Sequence, residues 1–286
     1  MKKNILYSLI FLQIFLVTLP SCRINAQSTR STSYNASLKH ELSPFKAIHV
    51  GDGFEVEILH SDKYSCEIFA QTMDNVNAIE PMIKKGELSF KNHIFPILGR
   101  KGPIKVKIYA PNLEAISLSG GANGTSDIRF SSNKFYLDLS GGASLKEIQI
   151  KCDELLVNMS GGSILKDISV QARNAKVDLS GGSHWLSSEL QLEDNLLLDL
   201  SGGSRVENFI GGVKSLLLDC SAGSKAYIAD FIAKNCSVDL SGAARAKIQA
   251  TEEIEVEASG ASTLYYKGTA KMNKVDVSGV SSVKQL

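Results

Sequence analysis

This chain has no charge excess, no clustered metal ligands and no helical periodicity. Its 286 residues carry 31 Lys and Arg against 30 Asp and Glu, a balance that gives no general attraction to nucleic acid or anionic lipid. Aromatic residues make up only 7%. The histidines, His40, His49, His60, His93 and His184, are scattered. The cysteines, Cys22, Cys66, Cys152, Cys220 and Cys236, form no CxxC or Cys/His cluster of the kind that holds zinc. No metal and no cofactor is expected. The best chance of helix is a turn or two between Met73 and Ile83.

One apolar run is present, at the start. Met1 to Lys3 supplies positive charge, and Ile5 to Val17 is apolar apart from Ser8 and Gln13, the pattern of a secretory signal. It is too short for a spanning helix. Leu19-Pro20-Ser21-Cys22 resembles a lipobox, making Cys22 a candidate lipidation residue, while Ala26-Gln27 fits ordinary signal cleavage. Residues 1–26 therefore read as a signal peptide, and the chain as exported to periplasm, outer membrane or cell surface. Residues 27–42 are rich in Ser, Thr and Asn without an apolar period, which reads as a flexible tether. The remaining cysteines could pair in an exported protein, but they read better as small buried hydrophobes.

What is abundant is a repeat. Ser-Gly-Gly or a close relative occurs nine times, beginning at Ser119, Ser140, Ser160, Ser180, Ser201, Ser221, Ser241, Ser259 and Ser278. Subtracting successive serine numbers gives spacings of 21, 20, 20, 21, 20, 20, 18 and 19, the regularity of a repeat array. Before each serine stands an apolar residue, such as Leu179, Leu200 or Leu240, and two residues earlier another, such as Val177, Leu198 or Val238. Between them runs a mostly acidic row: Asp138, Asn158, Asp178, Asp199, Asp219, Asp239, Glu257 and Asp276. Side chains alternate across a strand, so the apolar rows point inward and the acidic row outward. A second short strand after the corner fills the core again through Leu145, Leu165, Trp185 and Val206, and a third follows, as in Ile148-Gln149-Ile150.

Three short strands in about 20 residues make one coil of a parallel β-solenoid. The expected fold is all-β, a right-handed parallel β-helix over 116–286, with coils stacked at about 4.8 Å in a rod roughly 43 Å long. A β-rich segment, 43–115, would cap or extend its N-terminal end. Within it Phe54 to Ile58 and Ile104 to Ile108 alternate apolar and charged residues. Cys66 to Ala70 and Leu88 to Phe90 are weaker strands. At the other end Val275, Val277 and Val283 would leave an open edge, which points to homo-oligomerisation through the solenoid ends.

Three rows could carry chemistry. The acidic row could bind cations between coils, or accept backbone hydrogen bonds at the following corner; the glycine and aspartate pattern of calcium-binding nonapeptides is not matched. The repeated serines read as a corner ladder, because a catalytic serine is a single residue beside a base and an orienting acid. A basic stripe, His184, Arg205, Lys225 and Arg245, occupies the outward position past the corner in four consecutive coils. It could pair with the acidic row across the corner, or form a linear site for an anionic glycan or an acidic partner. Trp185 reads as core, and Tyr227, Tyr265 and Tyr266 as candidate exposed aromatics.

The β-rich leader ending in Ala110-Pro111-Asn112-Leu113-Glu114-Ala115-Ile116, followed by serial Ser-Gly-Gly-Ser and Ser-Gly-Ala-Ser corners, resembles the bacterial head GIN domain family of auto-transporter adhesins. The resemblance covers about Phe45 to Leu286. It implies a right-handed parallel β-helix in an exported protein, and it brings no catalytic residues. The chain has more consecutive Gly-Gly corners than the Ser-Gly-Ser-Gly form usual in the family. Two functional classes follow: a non-enzymatic binding or adhesin-like envelope protein, with glycan or surface-protein partners, and a β-helix polysaccharide lyase or hydrolase. The even spacing leaves almost no residues for the long insertions that wall an enzyme cleft, which favours binding.

Overall fold

The computed structural model describes residues 34–93 and 102–286, which form twenty-one strands and one short helix. The expected signal peptide, Cys22 and the first part of the tether lie outside the described residues.

From residue 115 onward the chain winds as the repeat requires. β8 (Ala115–Leu118), β9 (Asn123–Ser126), β10 (Arg129–Leu139), β11 (Ser144–Lys146), β12 (Gln149–Met159), β13 (Ile164–Lys166) and β14 (Ser169–Leu179) follow one another. Four long strands continue the winding: β15 (His184–Leu200), β16 (Arg205–Cys220), β17 (Lys225–Leu240) and β18 (Arg245–Ala258). β19 (Thr263–Lys267), β20 (Lys271–Val277) and β21 (Ser282–Gln285) finish it. Each coil pairs in parallel with the coil before and after it.

A coil has three faces. The first leads into the Ser-Gly corner, as in residues 195–200; the second leaves it, as in 205–207; the third, as in 210–212, bends into the first face of the next coil. In β10 and β12 that bend falls at Asn133 and Asp153, which drop out of the pairing while the residues on either side keep it. The inward rows are continuous. Leu137, Val157, Val177, Leu198, Leu218, Val238 and Val256 stack in register and are buried, as are Leu145, Leu165, Trp185, Val206 and Ala226 on the second face. Stacking gives each inner coil two apolar neighbours and a full set of backbone partners, which one coil alone could not supply.

The corner works as its composition requires. The residue after the serine takes a left-handed conformation, φ +68° at Gly202, and the Ser221-Ala222-Gly223 corner keeps it with an alanine at φ 57°. Ser183 is buried and its hydroxyl donates to the Ser180 carbonyl at 2.9 Å, closing the turn from inside. A second left-handed position, not marked by glycine, separates the second face from the third: Glu147, Asp167, Ser187 and Asn208 have φ between 50° and 58°.

The N-terminal strands add to the stack. β2 (Ala47–Val50) and β3 (Glu55–His60) pair in parallel with β8 and β9 and form a further coil, whose corner, Gly51-Asp52-Gly53, lies beneath Ser119-Gly120-Gly121. Two antiparallel arms follow on its outer side. On one, β6 (Glu87–Asn92) pairs with β2 and is covered by β5 (Ile79–Lys84); on the other, β7 (Lys105–Ala110) pairs with β3 and is followed by β4 (Ser65–Ala70) and β1 (Ala36–Glu41). β1 corrects the tether reading of 27–42, because Ala36 to Glu41 is a strand. Its inward side holds only Ala36, Leu38 and His40, too weak a period to stand out before its partner β4 is in place. The helix α1 (Met73–Asn77) falls where a turn was expected, capped by Thr72 accepting from the Asn75 amide. At the opposite end β20 and β21 have one neighbour each, and Val275 and Val277 are 49% and 41% exposed.

Candidate functional site

The second face carries the basic stripe. His184 stands beside Arg205, Arg205 beside Lys225 and Lys225 beside Arg245, each pair matched across parallel strands. The stack rises about 4.8 Å per coil, so the four residues form one column along the solenoid. A second outward column runs two residues further on, through Lys146, Lys166, Leu186, Glu207, Tyr227, Lys247, Tyr265 and Lys284.

The cations of this face fall into two sets. In the earlier coils they are neutralised: Lys105 and Lys107 lie 2.9 and 3.5 Å from Glu57, Lys146 3.7 Å from Glu147, Lys166 3.3 Å from Asp167 and Arg205 3.3 Å from Glu207. The Lys105 hydrogen bond is the main reason the Glu57 carboxyl is held below its ordinary range, with burial opposing it. In the later coils Lys225, Arg245, Lys247 and Lys284 have no carboxylate within 4.0 Å among the described residues. Instead Lys247 places its Nζ 5.2 Å from the Tyr227 ring centre and 5.8 Å from that of Tyr265, and Lys284 lies 5.9 Å from Tyr265. A cation held against a ring is positioned without being neutralised.

The acidic row occupies the first face in unbroken register from Asp138 to Asp276. No ion pair among the described residues joins it to the basic stripe, so mutual pairing across the corner does not occur. Nor do Asp199, Asp219 and Asp239 accept corner hydrogen bonds among the described residues; the corner amides donate to the coil before, as Ser221 does to the Leu200 carbonyl at 2.9 Å. Partial burial, then the neighbouring Asp199 and Asp239, push the Asp219 carboxyl above its ordinary value. Beside the row a shallow groove of ≈ 240 Å³ is lined by Asp138, Asp178 and Asp199 with Ser160, Ser180 and Ser201. Among the described residues no group of three or more His, Cys, Asp or Glu is arranged to hold a metal ion.

Other expected features take their places in the core. Trp185 is fully buried, packs edge-on against Phe209 with ring centres 5.0 Å apart and donates to the Ser188 hydroxyl at 2.7 Å. Cys66, Cys152, Cys220 and Cys236 are buried free thiols. Burial pushes Cys66, Cys220 and Cys236 up to about 12 and Cys152 to about 11, so all four stay protonated at neutral pH. Lys247 and Lys284 went unnoticed in the sequence because they follow the corner by a longer step than the stripe does. The alternation of Tyr227, Lys247, Tyr265 and Lys284 was the available signal.

The fold has solved counterparts. The chain is similar to a putative adhesin from Parabacteroides distasonis ATCC 8503, at 17% identity and a TM-score of 0.64, covering 88% of this chain and 96% of that one. A putative lipid binding protein from the same organism aligns at 16% identity and a TM-score of 0.61, over 88% and 96%. A putative adhesin from Parabacteroides merdae ATCC 43184 aligns at 17% and 0.56, over 88% and 95%. These likenesses are of fold. No curated protein matches the chain. The family model described as "Putative auto-transporter adhesin, head GIN domain" matches residues 44–207 and 187–270. A match of that extent, on a solenoid whose corners bear the family's Ser-Gly repeat, places the chain in the head GIN domain family.

Proposed function

We propose that this protein is an exported, non-enzymatic binding module of the cell envelope, and that its second face takes an anionic glycan or the acidic surface of a partner. The observation that carries the reading is the group Lys225, Arg245, Lys247 and Lys284, four cations without carboxylate partners among the described residues, on one sheet face, with the Tyr265 coil between Lys247 and Lys284. Adhesin-like binding agrees with the description of the family and with the names of the structural neighbours. Export is supported by the charged start and the apolar run from Ile5 to Val17. Attachment would follow from lipidation at Cys22, and a soluble secreted form from cleavage after Ala26.

The test is binding of the whole exported chain to immobilised anionic and neutral polysaccharides over a range of salt. The acidic polymers bind, and affinity falls steeply as salt screens the exposed cations. Changing Arg205, Lys225 and Arg245 together to Ser abolishes that binding while the thermal transition stays in place. Binding that ignores both salt and the triple substitution refutes the reading. Release of unsaturated or reducing uronate products from the same polymers would turn the assignment to a β-helix lyase or hydrolase.

A further inference from the structure

From the spacing and the ring contacts of this face we infer a more specific ligand: an extended polyuronate chain lying parallel to the solenoid axis, with its carboxylates in step with the coils. The inference rests on the anionic-partner reading above and narrows it. Lys225 and Arg245 stand in one column on successive coils, about 4.8 Å apart, next to Arg205, whose charge is shared with Glu207 at 3.3 Å. Across the face each strand offers only two outward positions, such as Lys225 and Tyr227, so the long dimension of the charged surface runs along the axis. A polyuronate carries one carboxylate per sugar and advances by about one strand spacing per residue. Its charges can therefore meet successive coils without the chain coiling or stretching.

The second column adds fixed donors. Lys247 is held between Tyr227 of the coil before and Tyr265 of the coil after, and Lys284 lies on Tyr265 from the following coil. The tyrosines are thus positioning residues: they hold two ammonium groups in place and leave their charge for the ligand. Single-stranded nucleic acid would use such rings as stacking platforms. The Tyr265 ring, however, already has an ammonium from the coil before and another from the coil after, so the site favours a ligand recognised through its charges.

The test titrates the whole exported chain with size-graded oligogalacturonates, polyglutamate, dextran and oligothymidylate. Affinity for oligogalacturonates rises with oligomer length and levels at about four residues, the number of coils from Lys225 to Lys284. Lys247→Gln weakens polygalacturonate binding about tenfold. The pair Tyr227→Leu and Tyr265→Leu weakens it about five- to tenfold, whereas the corresponding Phe pair, which keeps the rings, binds as the parent does. Polyglutamate binds more weakly than polygalacturonate, and dextran does not bind. If the Leu pair binds polygalacturonate as the parent does, or if affinity does not depend on oligomer length, the polyuronate inference fails. The broader reading survives that result when the Arg205, Lys225 and Arg245 triple substitution still abolishes binding, and falls with it when it does not. Tighter binding of polyglutamate or oligothymidylate than of polygalacturonate overturns the inference in favour of an acidic peptide or a nucleic acid.

Discussion

Replacing Gly202 by alanine tests the mechanism of the corner most directly. Gly202 has φ +68°, and a Cβ built there would lie 2.9 Å from the Gly181 carbonyl oxygen and 3.2 Å from the Gly181 amide nitrogen. The left-handed conformation costs an L-residue about 1–2 kcal/mol. The contact cannot relax cheaply, because the same Gly181 oxygen accepts the Gly203 amide at 2.7 Å; overpacking of this kind adds about 1–3 kcal/mol. Alanine narrows the unfolded ensemble and returns about 0.4–1 kcal/mol. The expected net loss is about 1–5 kcal/mol. The reverse change, Ala222→Gly, removes a left-handed alanine at φ 57° and should stabilise by about 0.5–1 kcal/mol. Urea unfolding followed by far-UV circular dichroism reads both as shifts in midpoint at constant slope. A Gly202→Ala protein within about 0.5 kcal/mol of the parent, or a destabilised Ala222→Gly protein, refutes the account of the corner as a steric ladder of left-handed residues.

Three further outcomes are expected. Trp185→Ala removes a fully buried ring and its hydrogen bond to Ser188 and should cost about 3–5 kcal/mol in the same assay. Asp219→Asn should raise the melting temperature at pH 7. The folded-state pKa of Asp219 is raised above its ordinary 3.8, so its ionisation opposes folding as pH rises through that window and the penalty persists at neutral pH. The advantage of Asn should vanish well below pH 3.8, where the aspartic acid is protonated in both states, and should shrink in high salt; melting curves against pH and salt check it. The thiols of Cys66, Cys152, Cys220 and Cys236, buried and raised, should resist a disulfide-exchange reagent in the native protein at pH 8 and react together on unfolding. Rapid native labelling would contradict their burial.

The repeat made most of the fold legible. Its period of about 20 residues and its alternation of apolar and polar positions come from strand geometry, which acts locally and leaves its mark in every coil. Nothing marks Gly51-Asp52-Gly53 as a further corner of the solenoid, because it lacks the serine phrase, and the second corner is unmarked because Glu147, Asp167, Ser187 and Asn208 take left-handed φ without a glycine to announce it. β1 is unmarked because β4, its strand partner among the described residues, is distant in sequence.

By itself, the sequence determined that this is a stacked β-solenoid, which rows point inward, and that four basic residues share one outward column. Only the tertiary structure decided which of the charges on that face are open to a ligand. The pairs of Lys146 with Glu147, Lys166 with Asp167 and Arg205 with Glu207 are local in sequence, whereas the rings that hold Lys247 come from neighbouring coils, about 20 residues away in the chain. Glu207 lies against Arg205, whereas Lys247 is held by Tyr227 and Tyr265 and keeps its charge. The acidic row and the basic stripe lie on different faces, and no ion pair among the described residues joins them.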